Sequence, residues 1–305
     1  MDFVVTLTSP RFVAGVSPQL GGSLVYFGLV DDGTCIPHDF VRPASARAWA
    51  QLAARLTSGY PLVPYSNRIG DGRFTFDGRS HALSSNSPVS AHPLHGIGWL
   101  REWSVVSSAP DRLILVCAHL PTGRADAQWP WAFTATQTFA LDDTALTWTL
   151  VLTNDDAETM PAGIGLHQFV PKTPRMELHC ATKAVWRNDK RMLPVERMKV
   201  PAEWDFNARR PVGELTVDNC FAGWSREALL VWPERGWSLR LAASDVFGHM
   251  IAFTSPERDS IAIEPVSHAN NAVNLAATRA DTGLVRLAPG ESLSGSLTMT
   301  PVQDC

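Results

Sequence analysis

Apolar residues along this chain recur mainly at every second position. Leu146-Thr-Trp148-Thr-Leu150-Val-Leu152-Thr alternates apolar and polar side chains, as a half-buried strand requires. Phe133-Thr-Ala-Thr-Gln-Thr-Phe139 and Leu293-Ser-Gly-Ser-Leu297-Thr-Met299 repeat the pattern. Arg112 to Ala118 and Trp237 to Leu241 read as further strands. Turn residues punctuate them at Asp32-Gly33, Asp77-Gly78, Asn154-Asp155-Asp156 and Pro289-Gly290. Phe74-Thr-Phe76 and His81-Ala-Leu83 flank Asp77-Gly78 and predict a hairpin. One stretch, Ala44 to Leu56, has the Ala, Gln, Leu and Arg content of a short helix. Strands do not alternate with helices, which disfavours a parallel doubly wound sheet. No repeat of 20 to 50 residues points to a propeller or solenoid, and no Gly/Ser/Pro linker divides the chain. The pattern predicts an all-β fold, one large and mainly antiparallel domain over residues 1–305.

The same period of two sorts the candidate chemistry. In Ala162-Gly-Ile-Gly-Leu-His167, Ile164 and Leu166 share one face, while Gly163, Gly165 and His167 share the other. Two bare glycines beside a histidine leave room for a molecule to approach the backbone. In Asp259-Ser-Ile-Ala-Ile-Glu264, Ile261 and Ile263 point one way, and Ser260, Ala262 and Glu264 the other. In Leu215-Thr-Val-Asp218, Thr216 and Asp218 oppose Leu215 and Val217. Each residue also has a plainer reading: His167 as a structural histidine, Glu264 as a loop cap before Pro265, and Asp218-Asn219 as a turn.

Two loop-like segments add polar groups. Pro61-Leu-Val-Pro64-Tyr-Ser-Asn67-Arg68 ends an apolar run in an amide and a guanidinium. His92-Pro-Leu-His95-Gly96-Ile-Gly98-Trp99 carries two histidines three apart, with no carboxylate or thiol close in sequence to complete a metal set. There is no G-x-S-x-G elbow, no P-loop and no G-x-G-x-x-G, which disfavours acyl transfer and nucleotide-dependent chemistry. A histidine and a glutamate with Arg, Asn and Asp support suit general acid–base work on a hydroxyl-rich small molecule.

Composition narrows the partners. With 26 basic against 30 acidic residues and no basic block, neither nucleic acid nor an anionic membrane is expected. No run of 18 apolar residues suggests a membrane span, and Met-Asp-Phe-Val-Val lacks the flank and apolar core of a signal peptide. Five scattered cysteines (Cys35, Cys117, Cys180, Cys220, Cys305) without a C-x-x-C pair fit reduced thiols, and a cytoplasmic location is expected. The 11 tryptophans against three tyrosines suggest either a large β core or flat rings stacked on a ligand.

The motifs, taken in order, resemble a known family. Pro64-Tyr-Ser-Asn-Arg-Ile69 followed by Gly72-Arg-Phe-Thr-Phe-Asp-Gly78 is similar to the opening signature of the aldose 1-epimerases, the galactose-mutarotase-like proteins. His92-Pro-Leu-His-Gly96 with Trp99 resembles their second signature, and Trp129-Pro-Trp-Ala-Phe133 the strand entry that follows. Gly165-Leu-His167, Val217-Asp-Asn-Cys-Phe221 with Trp224, and Glu264-Pro-Val-Ser-His-Ala-Asn-Asn-Ala272 complete the series, closed by Leu287-Ala-Pro-Gly-Glu291. The surroundings of His167 look most like the shorter bacterial branch, with Gln168 where that branch usually has proline.

The resemblance implies a single β-supersandwich and interconversion of the α and β anomers of an aldose, without cofactor or metal. It implies Glu264 as the base at the anomeric hydroxyl and His167 as the acid at the ring oxygen. Arg68 and His95 would hydrogen-bond the oxygens where negative charge develops. Asp218 would accept from sugar hydroxyls, and Asn67 would join the site or hold its loop. Trp131, with Trp99 and Trp224, would lie near enough to pack against a sugar's C–H face, whereas Trp148 belongs in the core. The implied partner is a monosaccharide, acted on by a monomer or homodimer. A non-catalytic sugar-binding protein on the same scaffold and a sugar-phosphate mutarotase are the alternatives. Ser58-Gly-Tyr-Pro-Leu-Val-Pro64 differs from the segment usual in the hexose-6-phosphate branch and favours an unphosphorylated sugar, while Arg42, Arg47, Arg73 or Arg101 could bind a phosphate.

Overall fold

The computed structural model describes residues 3–30, 39–123 and 127–303. The Asp32-Gly33 turn, Cys35 and Cys305 lie outside them. The alternating segments form the strands their pattern predicts: Phe133–Leu141, Leu146–Asn154, Arg112–His119, Trp237–Ala243 and Ser292–Gln303. These belong to a nine-stranded antiparallel sheet in which Leu146–Asn154 lies between Phe133–Leu141 and Ser292–Gln303. Its strand Leu146–Asn154 alternates strictly between buried and half-buried residues, so one face packs inward and the other meets water.

The second large sheet has ten strands. Its centre runs, in spatial order, Gly59–Leu62, Gly165–Pro171, Ser260–Val266, His249–Thr254 and Val217–Ala222. These strands are buried with little alternation, and all seven residues of Ser260–Val266 are buried. The reason is that both of their faces are covered. On the inner face Ile164, Leu166, Ile261 and Ile263 meet Leu113, Phe139, Trp148 and Leu150 of the nine-stranded sheet in one continuous core. Fully burying each such side chain contributes roughly 1.5–3 kcal/mol. On the outer face a second cluster holds Tyr60, Leu62, Trp99, Phe169, Trp186, Cys220, Ile251 and Ala262. Cys117, Cys180 and Cys220 are buried free thiols.

The hairpin at Asp77-Gly78 forms as expected, pairing Arg73–Phe76 with Arg79–Ala82. Both turn residues have positive φ, 49° and 73°, the conformation that a two-residue hairpin demands. The expected helix is shorter than its composition suggests. Only Ala46–Gln51 is α-helical, capped by the Ser45 hydroxyl, and Leu52 leaves the helix at φ 46°. A 3₁₀ turn, Ala54–Leu56, follows. Among the helical residues only Ala48 is buried, so no apolar stripe anchors a longer helix to the sheet. The short segment delivers Arg55 and Leu56 to the rim of the outer-face cavity. Among the described residues no helix is long and apolar enough to cross a membrane.

Candidate active site

Strand register builds the centre of the site. Gly165–Pro171 pairs with Ser260–Val266 through Gly165–Val266 and Phe169–Ala262, which sets His167 opposite Glu264. On its other side His167 pairs with Tyr60. The inner neighbours Ile164, Leu166, Ile261 and Ile263 fix which way these side chains turn, because a strand sends alternate residues to opposite faces. His167 and Glu264 therefore emerge together on the outer face, with His167 Nε2 3.2 Å from Glu264 Oε1. Gly163 and Gly165 leave the space that the sequence suggests, but neighbouring protein fills it. A Cβ on Gly163 would lie 1.9 Å from the His268 ring, and one on Gly165 2.8 Å from Val266.

Burial governs the protonation of this pair. Glu264 is held well above its ordinary pKa, first by loss of solvent and then by the nearby Asp218 carboxyl. His167 is held well below its ordinary value, again mainly by burial, with His95 and Arg42 adding repulsion. One oxygen of Glu264, Oε2, and one nitrogen of His167, Nδ1, are buried without a protein hydrogen-bond partner. The site thus favours the neutral form of each group, and the pair holds one transferable proton between them.

Two loops frame the pair, and a glycine locks them together. The backbone N–H groups of Ile97 and Gly98 both donate to the Val63 carbonyl. Gly96 sits between the loops at φ 66°, where a Cβ would lie 2.1 Å from the Val63 oxygen. Only glycine meets both demands. Asn67, at φ 56°, donates its backbone N–H to His95 Nδ1 over 3.1 Å. His95 Nδ1 is consequently an acceptor, and in the neutral ring the proton sits on Nε2, available as a donor. Burial and the Arg68 charge lower the His95 pKa to about 3, so the ring stays neutral at ordinary pH. Asn67 Oδ1 accepts from Arg68 Nη1 at 3.2 Å and from the Arg68 backbone N–H at 2.9 Å, which aims that guanidinium. Asn67 therefore lines the cavity and organises both donors.

The cavity these groups line has a volume of about 320 Å³, within the range of small-molecule sites. It brings together Glu264, His167, Arg68, His95, Asp218 and Asn67, all six polar residues singled out in the sequence. Burial raises the Asp218 carboxyl above its ordinary pKa, against the opposing charges of Arg68 and Arg258. Trp131 is not among the lining residues. It is buried in the inter-sheet core, 5.3 Å from Trp129 and 5.7 Å from Phe76 between ring centroids. Trp224 also lies in that core, and Trp148 does so as expected. Trp99 supports the wall from behind, stacked on Tyr60 at 5.5 Å with its indole N–H bonded to the Leu94 and Gly96 carbonyls. The rings that face the cavity are Tyr60, Phe169 and Phe253. Phe169 carried a signal in the sequence, since it stands two residues after His167 and shares its face. Arg42, Arg55 and Arg258 also reach the cavity, from segments distant in sequence that showed no motif. His92 and His95 do not form a shared site: His92 Nδ1 accepts the Asp71 backbone N–H at 3.0 Å.

A family model, aldose 1-epimerase, matches residues 4–300. The chain belongs to the aldose 1-epimerase family. The uncharacterised Escherichia coli protein YphB is 33% identical over 251 residues, 79% of this chain and 83% of YphB. A crystallised protein of Escherichia coli K12, 30% identical, superposes with a TM-score of 0.86 over 98% of this chain and 99% of its own. A galactose mutarotase-like protein of Clostridium acetobutylicum shares the fold at 17% identity, with a TM-score of 0.87 over 98% of this chain and 95% of that one. The all-β, galactose mutarotase-like architecture expected of the family is the one observed.

Proposed function

We propose that this family member is an aldose 1-epimerase acting on a monosaccharide, with Glu264 as base and His167 as acid. The observation that carries the proposal is the 3.2 Å approach of His167 Nε2 to Glu264 Oε1 at the floor of a cavity supplied with hydrogen-bond donors. The hydroxyl oxygen and the ring oxygen of a cyclic aldose are both bonded to C1. The groups that serve them must therefore be neighbours, as these two are.

Glu264 takes the proton from the anomeric hydroxyl, the bond between C1 and the ring oxygen breaks, and His167 delivers its proton to that oxygen. The open chain carries an aldehyde at C1. Rotation about the C1–C2 bond presents the other face, and the two transfers run in reverse to close the opposite anomer. Positioned proton transfer contributes typically 10²–10⁴-fold at each group. Ring opening starts from the ionised pair, Glu264 carboxylate and His167 imidazolium, and leaves both groups neutral, the state burial favours; reclosure regenerates the ion pair. Arg68 and the neutral His95 Nε2–H would donate to the sugar oxygens as charge develops. Asp218 would accept from hydroxyls farther round the ring. No cofactor has a role in this scheme.

Anomer exchange by polarimetry or saturation-transfer NMR, over a panel of aldoses, is the test. Exchange well above the spontaneous rate on at least one sugar is expected. No acceleration on any sugar overturns the proposal, and tight binding without acceleration would make the chain a sugar-binding protein instead.

A further inference from the structure

The cavity is more cationic than a neutral sugar requires. Four arginines reach it, Arg42, Arg55, Arg68 and Arg258, against the two carboxyls of Asp218 and Glu264. Ion pairs within 4.0 Å elsewhere among the described residues engage other arginines, such as Arg187 with Glu196 and Arg286 with Asp77. None of those pairs includes a cavity arginine.

Three of the four gather at one end. Arg42 Nη2 donates to the Thr57 and Arg55 carbonyls at 2.5 and 3.2 Å, and Nη1 to the Ser260 hydroxyl at 3.4 Å. Its guanidinium lies 3.7 Å from the centroid of the Phe169 ring. Its Nε is buried with no partner. Arg258 stands over Phe253 at 4.1 Å in the same way. Phe169 and Phe253 both pair in register with Ala262, so the three form one row across three strands. Ala262 precedes Glu264 by two residues, which places this row about 6.7 Å along the strand from the acid–base pair. That span is comparable with the reach from C1 of a pyranose to a charged group carried on C6. A sugar with C1 at His167 and Glu264, lying along the strand, would direct the substituent on C6 toward Arg42 and Arg258. Holding cations in a partly dry cleft is unfavourable: burial lowers the Arg42 pKa to about 10, against the attraction of Tyr60 and Asp259 and with a smaller repulsion from Arg258. A bound anion would relieve it.

Building on the epimerase reading, we infer that the substrate is an acidic aldose, whose carboxylate or phosphate on the carbon remote from C1 is held by Arg42, Arg258 and Arg55. Charge-assisted hydrogen bonds of this kind discriminate by about tenfold or more each.

The experiment compares anomer exchange of matched sugars: glucose and galactose, their uronates, and their 6-phosphates. The expected result is a kcat/KM at least tenfold higher for one acidic series than for its neutral parent. The uronate and phosphate arms show which anion is taken. Arg258→Gln, at an exposed side chain, should narrow the acidic-to-neutral ratio about tenfold, chiefly through KM. Neutral sugars turned over as well as every acidic one, or a ratio unmoved in Arg258→Gln, overturns the inference while leaving the epimerase intact. If no sugar is exchanged, the epimerase reading fails instead. Calorimetric binding then decides the charge question: preference for the acidic sugars upholds it, and equal or weaker binding overturns it.

Discussion

The two large sheets are built from similar apolar strands yet do opposite things with their outer faces. The nine-stranded sheet turns one face to water, lined by residues such as Thr147 and Thr149. The ten-stranded sheet covers its outer face with loops and short helices, and the gap beneath them is the cavity. The inner faces serve stability in both. Of the two outer faces, only the covered one holds ionisable groups away from water, and burial there shifts the pKa values of Glu264, His167, His95 and Asp218. A site of this kind needs a sheet that is dry on both sides.

That contrast can be broken at four points. Ile263→Ala, on the inner face next to Glu264, should cost about 2–5 kcal/mol in denaturant unfolding, while the folded fraction keeps its anomer exchange. A loss of exchange in fully folded protein would show that the two faces are not separable. Glu264→Gln and His167→Asn, on the outer face, should each reduce exchange at least about 10²-fold with the protein still folded. Near-normal turnover in either variant would reassign that role.

Stability should respond to the charge at Glu264 in the direction opposite to an ordinary salt-bridged carboxylate. Its folded pKa lies above the ordinary 4.5, so the native state holds its proton more tightly than the unfolded chain. Stability from this group is full below pH 4.5 and is lost as pH rises toward the folded value. Glu264→Gln lacks that loss. It should melt higher than the wild type at pH 8, by about 1 kcal/mol or more, roughly 2 °C for a chain of this size, and the gap should close near pH 4. A gap independent of pH would mean the carboxyl is not strained by burial. The smallest effect belongs to the open face: Thr149→Val should change stability by no more than about 0.5 kcal/mol and leave exchange untouched.

The same contrast explains what could be read from the sequence. Strands such as Leu146–Asn154 announce themselves because water on one face forces alternation. Strands such as Ser260–Val266 do not, since both faces are dry; there, the titratable Glu264 among Ile261, Ala262 and Ile263 was the usable signal. Asn67, Arg68 and His95 were legible as neighbours in motifs, and the loops do bring them together. Arg55 and Arg258 were not, and nothing local set Arg42 apart from Arg47, Arg73 and Arg101, because separate segments converge on the cavity and no local pattern encodes that meeting. Trp131 misled for the reverse reason. Its place beside a motif said nothing of its direction, and the core has more need of a large ring than the cavity does.

The strand Ser260–Val266 has a consequence for how the molecule checks its own assembly. Ala262 and Glu264 lie on the outer face, Glu264 in the cavity wall, while Ile261 and Ile263 face the core. A slip of one residue in pairing would thrust Glu264 between the sheets and turn two isoleucines toward the cavity. A slip of two residues would keep the faces but carry Glu264 about 6.7 Å along the strand from His167, so either misalignment would leave the site inert. Recovered anomer exchange after refolding would therefore count correctly aligned molecules, with the active site serving as the fold's own proofreader.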